Sequence, residues 1–521
     1  MRLVRRGLDA AALLLALTLL AVLATGGFLL GPVRIARPED VFLALVGVVG
    51  LRVLAAPVTL PRVAPSTAVV GGVLGYALVM GFITLTRHFA FQTHALDAGQ
   101  FAQIVWSIAH GDGPWMTLPA MHAWGDHFSP ILYLLVPLAW LGPIAPALLI
   151  VQTLSLAAGG LAVFAFARRQ LGDDRLAAGL ALLYLVNPSL HGINLRDVHV
   201  QAFAVPLLMA AALAFDTRRW GWCALAVLLV LACREDGAVA VVGFAAWLAL
   251  ARRRWALGSA VAVGAVLLLA FDTRVLIPHY RGEAYTHLVK RYVHLGDSVG
   301  DVLVTLAVRP WRWVPVVLQP PKLVYLLAIL APLGFLPVLA PMAAASALPG
   351  LAVNLLTFDR VLFNYRSQYQ AFVLPFLTLA AVEGCARLQE RWTRRTHDRP
   401  PGWRDRLSPG AVLVAALLIS LALTARTVND LAVSRWRLGP EQRAVRALLR
   451  FIPPGVAVGV NERLVPHLAE RHEVYIYDAA VERCQYVLDL DSVLARHPPP
   501  AGFTVAAHEG GWTLLRRGGA E

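Results

Sequence analysis

Between Arg87 and Pro143 the chain places His88, His94, Asp97, Asp112, His122, Asp126 and His127 in a polar stretch flanked by long apolar runs. Carboxylates and imidazoles exchange protons near neutral pH, and side by side they also suit a divalent cation. Asp197 and His199 in NLRDVHVQ, and Glu235 and Asp236 in CREDG, are further sets of the same kind. An ionisable group at membrane depth costs roughly 2.5 to 3.5 kcal/mol on insertion scales, so its presence points to function. A hairpin tip in water, with Arg234 as the local partner of the acids, is the competing reading of CREDG. Asp126, His127, Asp197 and His199 together suit either a Mg or Mn ion or a hydrogen-bonded acid/base set, although their spacing matches no metal signature such as HExxH.

These residues need a scaffold, and composition says which. Of 521 residues, 58% are hydrophobic and 15% charged, with a mean hydropathy of +0.63. That balance is an all-α polytopic membrane protein, because a water-soluble core cannot absorb so much apolar surface. The net charge of +14 does not indicate nucleic acid. Arg168-Arg169, Arg218-Arg219, Arg252 to Arg254 and Arg391 to Arg406 occupy short gaps between apolar runs, which is the positive-inside pattern. The four cysteines show neither a disulfide framework nor zinc spacing.

A spanning helix needs about 20 apolar residues, and on that rule residues 1–426 form about thirteen spans. The first, from Ala10 to Leu30, is expected to stay uncleaved with a cytoplasmic N-terminus. Alternating crossings then put the arginine-rich gaps on the cytoplasmic side. The large loop 87–143, His191 to His199, Arg234 to Asp236, Pro278 to Pro321 and Thr357 to Ser367 fall on the outer side. Cations there run against the positive-inside tendency and want a local anion, so Arg291, Lys322 and Arg366, with Tyr369, are candidate phosphate ligands. Polar groups from these loops are expected to meet in one outer cavity.

In the first loop, Phe101, Ile104, Val105 and Ile108 recur at helical spacing, which predicts a helix over Asp97 to His110 lying along the membrane surface. Asp97 stands at its N-terminus, where a carboxylate can simply cap free N–H groups. The run from Ser129 to Leu141 is too short to cross. Residues 427–521 change character: a helix over Glu441 to Phe451 and short strands at Val456 to Val460, Val474 to Tyr477 and Tyr486 to Leu490 predict a small α/β domain on the outer side.

The segments LDAGQFAQIVW, GDHFSPILYLLVPL, RDVHVQAFAVPLL, REDG, YRSQYQAFVLP and NERLVPHLAERHEVYIY resemble the successive motifs of a bacterial family of predicted multi-pass membrane proteins, domain-of-unknown-function family 2079. The similarity runs from about Thr84 to Asp491. It departs at Leu96-Asp97-Ala98-Gly99, where the family tends to aromatic-Asp-Leu-Gly, and at Val198-His199, where it tends to Phe-His. More distantly, the layout is similar to the GT-C superfamily of polytopic glycosyltransferases, which take sugars from polyprenyl-phosphate carriers and place an essential aspartate in the first large extracytoplasmic loop. By position Asp97 matches that aspartate.

The resemblance implies a glycosyltransferase of the bacterial cytoplasmic membrane, moving sugar from a polyprenyl-phosphate-linked donor to an extracytoplasmic glycan, lipid or protein acceptor. Asp97 would be the base; Asp126, His127, Asp197, His199, Glu235 and Asp236 would position the acceptor or a metal; Arg291, Lys322, Arg366 and Tyr369 would hold the donor phosphate. The alternative is a transporter or flippase of lipid-linked or anionic solutes. Pro332, Pro337, Pro341 and Pro349 supply the helix breaks it needs, without a matched set in the other half of the chain.

Overall fold

The computed structural model describes residues 2–55, 63–398 and 408–518. Much of the basic gap from Arg391 to Arg406, and the end of the span expected to reach Pro57, lie outside the described residues. Among the described residues, five helices are long and apolar enough to cross a bilayer: Arg2–Thr25, Pro65–Phe89, Ile144–Leu171, Asp174–Leu195 and Trp255–Arg281. Two bent pairs, Pro310–Val317 with Pro320–Leu333 and Pro409–Leu423 with Ala425–Leu431, raise the number to at most seven. The other apolar stretches form the helices Pro38–Ala55 and Leu374–Asp398 and shorter ones such as Val200–Asp216, Trp220–Cys233, Gly237–Ala251 and Pro341–Leu355. A total near thirteen is reached only by counting these short helices as spans.

Ile144–Leu171 is the central helix, packed against Pro65–Phe89, Asp174–Leu185 and Ala204–Asp216. At one end of the bundle Arg252 pairs with Asp216 (3.0 Å) and Glu383 (2.9 Å), and Arg168 pairs with Asp174 (2.7 Å). The gaps that the charge pattern groups together therefore meet on one face. All four cysteines are free and buried.

The opposite face carries the first loop and the C-terminal domain. Within the loop, Ala95–Gly99 is a single π-helical turn leading into the α-helix Gln100–Ala109, and Trp115–Thr117 pairs with Ala120–His122 as a short hairpin. Here the structure corrects an expectation. Phe101, Ile104 and Val105 do not lie on a lipid surface but are buried against Ile131, Leu132 and Ile144, and Gln103 Nε2 donates to the carbonyls of Arg471 and His472 (3.2 Å each). The C-terminal domain and the Pro130–Trp140 helix provide the cover that sequence reasoning assigned to the bilayer.

The described residues of that domain form five strands, β1 Val458–Val460, β2 Val474–Ile476, β3 Tyr486–Leu490, β4 Phe503–Glu509 and β5 Trp512–Arg517, in the order β2-β1-β3-β5-β4. β1, β2 and β3 are parallel, as their near-continuous apolar sequences require. β4 and β5 add an antiparallel hairpin not foreseen, because most side chains of β4 are exposed and its sequence lacks an apolar run. The sheet packs Val458, Val460, Val474 and Leu488 on Val445 and Leu448 of the helix Pro440–Leu449. Gly99 lets the π-turn approach this domain: a Cβ there would stand 2.8 Å from Val465 Cγ1.

A candidate active site around Asp97

The π-turn that carries Asp97 is anchored from both sides. His94, extended just before it, donates its backbone N–H to Asp197 Oδ2 (2.9 Å), and its ring Nδ1 meets the same oxygen at 2.9 Å. The hydrogen bond to Asp197 raises the His94 imidazole above its ordinary range. Asp197 itself has φ +60°, a left-handed conformation that costs a non-glycine residue energy. The buried Gln152 of the central helix holds it there: Nε2 donates to the Asp197 carbonyl (2.8 Å), and Oε1 accepts the His199 N–H (2.8 Å). His199 then projects Nε2 to within 3.2 Å of Asp97 Oδ1. Asp97 is not an N-cap, since the Ala95–Gly99 turn begins before it and makes no side-chain cap bond. Its side chain is 39% exposed, with Oδ1 facing His199, and the residue lines a cavity.

This cavity, about 600 Å3, is lined by Asp97, His94, Asp197 and the arginines Arg87, Arg196, Arg366, Arg426 and Arg435, with Glu39 and Asp430 as the remaining acids. Arg366 reaches it because Gly192 lets the helix Pro188–Leu195 press on its backbone, where any Cβ would come within 2.4 Å of Arg366 Cα. Arg366 Nη2 donates to Thr427 Oγ1 (3.1 Å), while Nη1 is buried without a partner. Burial lowers the guanidinium's pKa. An unsatisfied cationic N–H beside a polar cavity is the feature an incoming oxyanion completes. Arg87, Arg196, Arg426 and Arg435 were not singled out from sequence. Arg87 and Arg426 carried a positional signal, each closing a long apolar run, whereas Arg196 and Arg435 carried none.

The other expected residues do not join this cavity. His127, Glu235, Asp236, Arg291 and Tyr369 line a second one of about 430 Å3 whose remaining walls include Val239, Val289, Val302, Leu303 and Phe372. Glu235 Oε1 is 2.8 Å from His127 Nδ1 and accepts from the Tyr285 hydroxyl (2.8 Å), and Oε2 accepts the Phe128 N–H (3.1 Å). Burial disfavours the charged form of Glu235, but His127, Arg234 and Tyr285 outweigh it and hold the carboxyl below its usual range. Burial likewise opposes His127, and Glu235 raises it above the ordinary imidazole range. Asp236 pairs with Arg234, the partner that the hairpin-tip reading named, but Arg234, Asp236 and Glu235 are largely buried rather than in water. Arg291 lies 3.5 Å from Asp359 and over the Tyr369 ring.

One cavity was expected and two exist, because residues 357–372 run between them: Arg366 faces the first and Tyr369 the second. Asp126 lines neither and accepts from Gln100 Nε2 (3.3 Å). Lys322 also lines neither. It is fully buried, donates to the Leu355 carbonyl (2.6 Å) and faces the rings of Phe358 and Phe363, so it ties two segments together rather than waiting for a phosphate. Among the described residues no group of three or more histidine, cysteine or acidic side chains is placed to hold a metal ion. Asp126-His127 and Asp197-His199 are separated, so the ligand set expected for Mg or Mn is not assembled among the described residues.

Membrane-length helices, a polar cavity on one face and an α/β domain above it define a polytopic membrane protein. Residues 87–506 match the family described as "Predicted membrane protein (DUF2079)", and the chain belongs to that family. No curated protein matches the chain significantly. Among solved structures, its fold is similar to ArnT from Cupriavidus metallidurans bound to undecaprenyl phosphate, with 14% identity, a TM-score of 0.51, and coverage of 85% of this chain and 97% of that one. The apo state of the same protein gives 15% identity, a TM-score of 0.51 and coverage of 86% and 98%. The helical membrane architecture with a small α/β region expected from sequence is met at the level of the fold.

Proposed function

We propose that the protein is a membrane glycosyltransferase that moves a sugar from a polyprenyl-phosphate-linked donor to an acceptor on the extracytoplasmic side. The observation that carries this reading is that Asp97 and Arg366, whose Nη1 has no hydrogen-bond partner, line one cavity. The acceptor hydroxyl attacks the anomeric carbon while Asp97 takes its proton. The bond from that carbon to the phosphate oxygen breaks, and the phosphate leaves with the electron pair toward Arg366 and its neighbouring arginines. Attack opposite the leaving group inverts the anomeric centre. His199 and His94, through Asp197, are positioning residues that hold the Asp97 turn. The second cavity has a cationic and aromatic end at Arg291 and Tyr369 and aliphatic walls, which suits the isoprenoid part of the donor lying across residues 357–372. The fold shared with a protein solved with undecaprenyl phosphate supports this choice of donor.

The test is Asp97→Asn in a strain whose surface glycans and lipid-linked sugars are profiled, with the level of the protein measured. The expected result is loss of one glycan modification at normal protein level, with donor accumulating on the outer leaflet. Unchanged glycans at normal protein level would overturn the assignment of the base. Donor retained on the inner leaflet would favour a flippase instead.

A further inference from the structure

The C-terminal α/β domain has a cavity of its own, about 710 Å3, which the reaction above does not use. It lies at the carboxyl ends of the parallel strands: Asn461 follows β1, Tyr477 and Asp478 follow β2, and Asp489 stands near the end of β3. The chain passes from β1 outward to β2 and then back across β1 to β3. Loops that diverge in this way open the crevice where parallel α/β sheets take their ligands.

The chemistry of this cavity is opposite to that around Asp97. Its acids are Glu441, Glu462, Asp478 and Asp489, against Arg463 alone among arginines and lysines, in a chain of net charge +14. Asp489 is 2% exposed and has no ion pair among the described residues. Its Oδ1 accepts from Asn461 Nδ2 (3.0 Å) and from the Leu490 N–H (2.7 Å), while Oδ2 accepts no hydrogen bond among the described residues. A carboxylate this buried without a cation carries a desolvation penalty that a ligand's ammonium or hydroxyl donor would relieve. The described side chains hold no metal-ligating group of three or more, and the volume is in the range of organic ligands.

We propose that this cavity binds an amine-bearing carbohydrate chain, with an ammonium group against Asp489 and hydroxyl groups on Asn461, Asp478 and Glu462. Gln92 lines the cavity and donates through Nε2 to the carbonyl of Arg435 (3.2 Å), which lines the Asp97 cavity, so the two share a wall. The bound chain is the acceptor presented to Asp97; this part rests on the transferase reading, whereas the binding itself does not.

The test uses the full-length protein in detergent, titrated calorimetrically with glucosamine tetrasaccharide and with its fully N-acetylated form. The glucosamine tetramer is expected to bind, and N-acetylation or Asp489→Asn to weaken binding at least tenfold. Asp97→Asn is expected to bind as the unchanged protein does. No binding of the glucosamine tetramer, equal binding of the acetylated form, or undiminished binding by Asp489→Asn would overturn the proposal. Should Asp489→Asn not fold, the exposed pair Asp478→Asn with Glu462→Gln replaces it, with at least a threefold loss expected and no loss overturning the site. If Asp97→Asn leaves glycans unchanged while the tetramer still binds through Asp489, the site stands and its role in presenting an acceptor falls.

Discussion

Arg366 and Lys322 are both cations among partly apolar walls, and their hydrogen bonds separate what each does. Lys322 already donates to Leu355 and faces two phenylalanine rings, whereas Arg366 leaves Nη1 unsatisfied beside the Asp97 cavity. Hydrogen bonds to charged groups contribute about 1.5 to 3 kcal/mol, or roughly 10- to 100-fold in affinity. Arg366→Ala is therefore expected to weaken binding of undecaprenyl phosphate by about that factor, measured on purified protein in detergent. Lys322→Met is expected to leave that affinity within about twofold while lowering the melting temperature, since it strips a buried carbonyl of its partner. Equal losses of affinity in both variants would return Lys322 to the phosphate site. The two side chains were indistinguishable in sequence, because each is a lone cation beside an apolar run, and only burial and partners tell them apart.

At the scale of elements, the position of Asp97 depends on a loop with no regular structure. Residues 196–199 would not hold a left-handed aspartate without Gln152, which spans the bend by bonding the Asp197 carbonyl and the His199 N–H at once. Gln152→Ala leaves both groups unpaired and is expected to destabilise the protein by roughly 2 kcal/mol. It should also reduce turnover much more than donor affinity, because the Asp97 turn loses the support of His94 and His199. Thermal unfolding and kinetics of the purified variant check this, and a loss confined to donor affinity would contradict it. Gln152 was invisible in sequence as a single amide within a long apolar helix. The helix bearing Phe101 and Ile104, by contrast, was legible as a helix, and only its surroundings were misjudged.

Across the whole molecule, the His127–Glu235 pair joins the first loop to the CREDG hairpin, and Tyr285 adds a third segment. His127 is raised on folding, so its contribution is fully present below the ordinary imidazole value of about 6.5 and is lost as pH rises through the raised value. Glu235 is lowered, so its contribution is present above about 4.3 and is lost only as pH falls toward the depressed value. The pair therefore stabilises most between about pH 4.3 and 6.5. The melting temperature is expected to fall as pH rises from 6.5 to 9, and Glu235→Gln, which removes the anion that raises His127, is expected to flatten that slope. A slope unchanged in the variant would assign the effect to other groups.

Apolar periodicity, arginine placement and a switch in composition after Arg426 were enough to derive a polytopic bundle with an α/β tail, because the bilayer and the sheet each impose a pattern on consecutive residues. The same local patterns singled out Asp97, Asp197, His199 and Arg366 as ionisable groups out of place. What sequence could not provide was their grouping. Whether a carboxylate meets His199 or Glu235's partner His127, and whether a cation faces a cavity or a carbonyl, depends on contacts between residues far apart in the chain. Those contacts are set by how short helices cross and where Gly99 and Gly192 let backbones touch, so two cavities rather than one emerge only once the chain has packed.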